Sequence, residues 1–102
     1  MTGLGLRWQE DDRTVILPLP EDRALVLGRD PACDLVFEDL SVSRRHCEIA
    51  PDGEGGWRLK HLSYKNPTWL NGALVVDEAP LAAGDVLQLT VVEVRVVAGV
   101  EA

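Results

Sequence analysis

The sequence predicts an all-β fold, a two-sheet β-sandwich of about ten or eleven short strands. Three observations lead there. Proline and glycine punctuate the chain every eight to twelve residues, with short apolar and β-branched runs between them. Nowhere do apolar residues recur at i, i+3 and i+4 over enough length for a core helix. Two sheets packed face to face are the natural way to bury the inner sides of so many short strands.

Trp8 lies on the expected first strand. "RTVILPL" (13–19) and "RALVLGR" (23–29) are separated by "PED", which reads as a hairpin or tight bend. "CDLVFED" (33–39) and "HCEIA" (46–50) are brief strands, and the turn-rich "PDGEGG" (51–56) joins the latter to "WRLKHL" (57–62). In that arm Trp57, Leu59 and His61 point one way, and Arg58, Lys60 and Leu62 the other. "DVLQLTVVEVRVV" contains a phase slip. Leu87, Leu89 and Val91 alternate on one parity, whereas Val92, Val94 and Val96 alternate on the other. A strand keeps its parity, so a turn or bulge must fall near Thr90–Val92.

A chain of 102 residues with 46% hydrophobic and 26% charged residues is one ordinary globular domain. The strand pattern fills about 6–97 and leaves "AGVEA" as a short tail, so residues 1–102 form a single domain without repeat or linker. Met1, directly before the first strand, is expected to be a genuine amino terminus. Cys33 and Cys47 lack C-x-x-C spacing, and with only two histidines no set of four zinc ligands suggests itself, so both are expected to be reduced thiols. The opening "MTGLGLRWQEDD" has no basic stretch followed by an apolar one, and no apolar run nears the length of a membrane helix. A soluble, cytoplasmic protein is expected, with no metal and no cofactor.

The net charge of −7 argues against nucleic acid as a partner. Its distribution is more informative: residues 1–39 carry −5, residues 77–102 carry −4, and residues 40–76 carry +2. The positive stretch holds "SVSRRH" (41–46) and "KNPTWLNG" (65–72), two of four loop motifs that also include "LGRD" (27–30) and "LAAGD" (81–85). Loops from one end of a sandwich converge, so residues distant in sequence can form one patch.

These four motifs, in this order and at these spacings, resemble the forkhead-associated (FHA) domain. That family is an eleven-stranded β-sandwich of the FHA/SMAD-like type whose loops bind phosphothreonine peptides, and the likeness covers roughly residues 6–97. It implies a non-enzymatic adaptor recruiting proteins marked by a Ser/Thr kinase, with that kinase or its substrates as partners, and neither nucleic acid nor membrane. Arg29 resembles the family arginine that grips the phosphate, and Ser43 the serine whose hydroxyl donates to it. Arg44 and Lys65 stand where further loop contacts arise. Asn66 resembles the asparagine that hydrogen-bonds the peptide main chain, and His46 the histidine that braces the loop from below. Gly28, Thr68, Asn71 and Gly72 support the site, Asn-Gly being a strong turn signal.

The physical requirements agree. Phosphothreonine brings about −1.5 to −2 charges and strong acceptor oxygens. Its seat needs an always-ionised donor, a hydroxyl and free backbone N–H groups. Ser43 and His46 could also suggest a nucleophile and base, but neither a G-x-S-x-G elbow nor an oxyanion-hole segment accompanies them. His61, Trp8, Trp57 and Trp69 read as packing residues, and Arg45 as either surface or site. Pro67 departs from the family's common glycine, and Lys65 from a small polar residue. A second function class is a phosphate-independent assembly domain of a bacterial secretion or regulatory complex, which would bind through its sheet faces.

Overall fold

A computed structural model describes residues 2–101. Eleven strands follow one another: β1 (Thr2–Glu10), β2 (Arg13–Pro18), β3 (Leu25–Gly28), β4 (Leu35–Val36), β5 (Cys47–Pro51), β6 (Trp57–His61), β7 (Thr68–Leu70), β8 (Ala73–Leu74), β9 (Glu78–Leu81), β10 (Val86–Leu89) and β11 (Val92–Glu101). They form a six-stranded sheet in the order β2-β1-β11-β10-β7-β8 and a five-stranded sheet in the order β4-β3-β5-β6-β9. No helix interrupts them among the described residues, and none there is long and apolar enough to cross a membrane.

The core lies between the sheets. Leu6, Leu87, Leu89, Val94 and Val96 project from the first, and Leu27, Cys47, Ile49, Trp57 and Leu59 from the second. The expected alternation in β6 holds, with Trp57 and Leu59 buried and Arg58 and Lys60 exposed. Trp8 caps one end of the core with its ring edge-on to Phe37, centroids 5.4 Å apart. Trp69 is half-buried.

The phase slip is a two-residue hairpin. Leu89 pairs with Val92 and Leu87 with Val94, so odd positions of β10 share a face with even positions of β11. Thr90 takes the left-handed conformation the turn needs, at φ 56°.

Four expectations about elements are corrected. β2 and β3 are not a hairpin: β2 pairs with β1 in one sheet, and β3 lies between β4 and β5 in the other. The segment between them crosses from sheet to sheet, anchored by buried Leu19, whose N–H donates to the Leu4 carbonyl. Second, "AGVEA" is no tail through Glu101, because Thr2 pairs with Glu101 and Gly3 with Val100. The sandwich therefore extends beyond 6–97 at both ends. Third, the strand expected over 33–39 shrinks to Leu35–Val36, parallel to β3. Fourth, part of "KNPTWLNG" is itself strand, since Thr68–Leu70 pairs with β10. The expectation about Met1 lies outside the described residues.

Candidate functional site

Three connections meet at one end of the sandwich: Arg29–Asp30 after β3, residues 37–46 between β4 and β5, and residues 62–67 between β6 and β7. The β10–β11 turn joins them.

Gly28 sets how close the first two lie. A Cβ there would stand 2.1 Å from the Arg44 carbonyl oxygen and 3.0 Å from Cys33 Sγ, so no side chain fits. The close approach lets the loops pair along their backbones. Arg29 N–H donates to Ser43 O (2.9 Å), Asp30 N–H to Arg44 O (3.1 Å), and His46 N–H to Leu27 O (2.9 Å). Arg29 Nε donates to Val42 O at 3.0 Å, which fixes the half-buried side chain. The two terminal NH₂ groups of Arg29 have no protein partner, and no buried side-chain nitrogen or oxygen among the described residues goes unpaired, so these groups face solvent.

His46 joins the second connection to the third from beneath. It is fully buried, and its Nδ1 accepts the Ser43 N–H at 3.1 Å. That leaves Nε2 to carry the proton, which it donates to Pro67 O at 2.9 Å. Burial pushes the imidazole below its ordinary pKa of 6.5; the bond to the Pro67 carbonyl opposes this, and nearby His61 adds to it. The neutral ring is the form these bonds require. His46's own carbonyl accepts the Leu62 N–H (2.9 Å) and the Ser63 N–H (3.2 Å). Further bracing comes from Thr90, whose N–H donates to Pro67 O (2.9 Å) and whose hydroxyl donates to Ser41 O (2.8 Å). Asp39 closes the start of this loop by accepting the Ser41 N–H and hydroxyl, and those bonds hold its carboxyl below the usual range.

Above this frame, Asn66 Nδ2 donates to Ser43 Oγ at 2.8 Å. Ser43 Oγ also makes a short hydrogen bond with Ser63 Oγ, and Ser63 Oγ accepts the N–H groups of Asn66 (3.0 Å) and Lys65 (3.3 Å). Arg44 and Lys65 are exposed beside them. Among the described residues, the ion pairs engage Arg23, Arg58 and Arg95, leaving Arg29, Arg44 and Lys65 without a carboxylate partner. The arrangement offers cationic and hydroxyl donors to an anion. Pro67 keeps its place in the frame through its carbonyl, which its missing N–H does not affect.

The structure thus brings Arg29, Ser43, Arg44, Lys65 and Asn66 onto connections at one end, with Gly28 and His46 beneath them. Thr68 is buried under the same end and its Oγ1 hydrogen-bonds His61 Nδ1 at 2.8 Å. Asn71 and Gly72 do not join this group. They form the β7–β8 turn, at φ 52° and 83°, and the Asn71 side chain donates to Asp85 and accepts the Val86 N–H. "LAAGD" lies with them at the opposite end. Arg45 diverges too, lining a cleft of about 240 Å³ with Asp30, Cys33 and Asp34. Cys47 is buried, with its thiol pushed above the range where a thiolate forms in water, and Cys33 donates from Sγ to Arg44 O. Sequence reasoning missed Ser63, Ser41 and Thr90. A serine three residues before Asn66 was the one visible sign of the first, and nothing local marked the others.

The FHA domain family model matches residues 25–90. The glycogen accumulation regulator GarA of Mycolicibacterium smegmatis is 39% identical over 62 residues, a stretch covering 61% of this chain and 38% of that protein's length. A chain from a structural and functional study of phosphothreonine-dependent FHA domain interactions is 35% identical, with a TM-score of 0.79 over 94% of this chain and 96% of the other. The amino-terminal FHA domain of Rad53p from Saccharomyces cerevisiae, in complex with a phosphothreonine peptide, superposes with a TM-score of 0.81 over 95% of this chain and 94% of the other. At 22% identity that last likeness is one of fold. A family match across most of the strands and all three site connections, on the two-sheet sandwich described above, makes the chain a member of the FHA domain family.

Proposed function

We propose that this chain is a single phosphothreonine-binding domain, a non-enzymatic cytoplasmic adaptor that recruits proteins marked by a Ser/Thr kinase. One observation carries the reading: Ser43, joined directly to Asn66, is paired along its backbone with Arg29, whose two NH₂ groups have no protein partner. Arg29 grips the phosphate, the Ser43 hydroxyl donates to it, Arg44 and Lys65 add charge, and Asn66 contacts the peptide main chain. Gly28 and His46 keep the loops at the right separation, Thr68 supports them from below, and Asn71 and Gly72 hold the far end. Each charge-assisted hydrogen bond contributes about 1.5–3 kcal/mol. Three or four supply much of the roughly 8 kcal/mol of a micromolar complex. The study of phosphothreonine-dependent interactions by a 35%-identical domain supports the same ligand class.

The test is a calorimetric titration with an oriented phosphothreonine peptide library, beside the same library as phosphoserine and as plain threonine. Binding to the phosphorylated libraries alone, lost in Arg29→Ala, is the expected result. Equal binding to phosphorylated and plain libraries by the folded protein would end this reading and favour assembly through the sheet faces.

A further inference from the structure

The hydroxyl hydrogens of the site can be assigned by counting lone pairs. A serine oxygen carries one hydrogen and two acceptor positions. Ser63 Oγ accepts two backbone N–H groups, those of Asn66 at 3.0 Å and Lys65 at 3.3 Å, so both of its acceptor positions are filled. Its remaining bond, to Ser43 Oγ, must use its own hydrogen, which makes Ser63 the donor. Ser43 Oγ then accepts twice, from Ser63 and from Asn66 Nδ2, and its acceptor positions are full as well. The Ser43 hydrogen is left with no acceptor in the protein. Ser43 is only half-buried, so that hydrogen is free to reach solvent or an arriving acceptor.

We propose that Ser63 is a positioning residue: by occupying the second acceptor position of Ser43, it turns the Ser43 hydroxyl into an outward donor and makes the site selective for a group with acceptor oxygens only. The inference rests on the phosphothreonine reading and names what that reading lacks, the group that orients its serine. Without Ser63 the Ser43 hydroxyl regains a free lone pair and rotates. Part of the binding energy is then spent on orienting it. The same bonding leaves Asn66 Oδ1 unengaged by the protein, free to accept an N–H from the ligand backbone. Ser63 is itself held by its N–H bond to the His46 carbonyl, so the proton arrangement is tied to the buried histidine beneath it.

The experiment is a double-mutant cycle read by phosphothreonine-peptide titration, with thermal unfolding of every variant. Ser63→Ala is expected to weaken binding about tenfold, and Ser63→Thr, which keeps the hydroxyl, to stay within about twofold of the parent. In a Ser43→Ala background, Ser63→Ala is expected to add less than about a twofold loss, because its partner is gone. A loss of the same size in both backgrounds would overturn the proposal and reduce Ser63 to a support of the 63–67 turn. Unchanged affinity in Ser63→Ala would overturn it too. If Ser63→Ala fails to fold, Ser63→Cys, with a weaker donor on the same stem, replaces it in the cycle. The parent protein and Arg29→Ala separate the two levels. Phosphate-dependent binding that is lost in Arg29→Ala but indifferent to Ser63 removes this proposal alone, whereas no phosphate dependence in the parent removes both.

Discussion

The β5–β6 turn at the far end of the sandwich and the connections at the site end are closed in opposite ways. At the far end, the turn between β5 and β6 is self-contained: Asp52 accepts the N–H groups of Glu54 and Gly56, and the Asp52 N–H donates to Gly56 O. At the site end, side chains join positions far apart in sequence. Ser43 meets Ser63, His46 meets Pro67, Asn66 meets Ser43 and Thr90 meets Ser41, across separations of 20, 21, 23 and 49 positions. A local turn forms wherever its few residues are present. A cross-loop network exists only when both sheets are assembled, so the candidate site reports on the whole fold.

The contrast can be broken most severely at His46. In His46→Ala the Ser43 N–H loses its acceptor and a cavity opens, a destabilisation of about 3–5 kcal/mol. Denaturant unfolding measures it, and a loss below about 1 kcal/mol would mean that the loops hold one another without the imidazole.

Arg29→Ala tests the same end from its surface. Phosphopeptide affinity should fall about a hundredfold, or about 2.7 kcal/mol, with stability changed by less than about 1 kcal/mol. Calorimetry beside thermal unfolding separates the two quantities. A large stability loss would show that the bond from Nε to Val42 O serves the fold more than the ligand.

Acid should loosen the ends in sequence. His46 is neutral in the folded protein and its pKa lies below the ordinary 6.5, whereas the unfolded chain takes up a proton near 6.5. Stability therefore falls as pH drops below about 6.5, toward the depressed folded value. Asp52, whose carboxyl is lowered first by the Glu54 N–H and then by the Gly56 N–H, behaves differently. Its contribution is complete above the ordinary 3.8 and is lost only as pH falls below that, through the folded value. Amide protection of Ser43 and Thr90 should decline between pH 7 and 5 while that of Gly56 holds. A parallel decline would erase the distinction.

The smallest effect belongs to Asp52→Ala. A slight drop in melting temperature is expected, with phosphopeptide affinity unchanged in the same titration. Weakened binding would show that the far end communicates with the site.

What could be read in advance follows the same division. The β10–β11 hairpin was legible because a parity change between Leu89 and Val92 is visible within a few residues. Arg29, Ser43, His46 and Asn66 were legible because their order and spacing survive in the linear chain. The "PED" segment was not, since whether β2 pairs onward to β3 or back to β1 depends on a partner elsewhere in sequence. Nor was the pairing of residues 98–101, whose strand character comes from Thr2 and Gly3 opposite them rather than from apolar alternation. Which end "LAAGD" and Asn71-Gly72 close was not legible, because a motif records that a loop exists, not which side of the sandwich it closes. Ser63 and Thr90 earn their places through bonds that appear only when the loops meet.

The pairing of Thr2 with Glu101 has a practical consequence. β11 starts at the site end and β1 runs antiparallel to it, so both termini of the described chain emerge side by side at the end opposite the candidate site. A dye or a sensor-chip tether attached at either one leaves the recognition loops unobstructed. A short linker could also close the chain into a ring, to be reopened at the exposed Gly53–Gly55. Such a circular permutant would keep every cross-loop bond while moving the entry and exit of the backbone, a convenient architecture for a reporter of kinase activity.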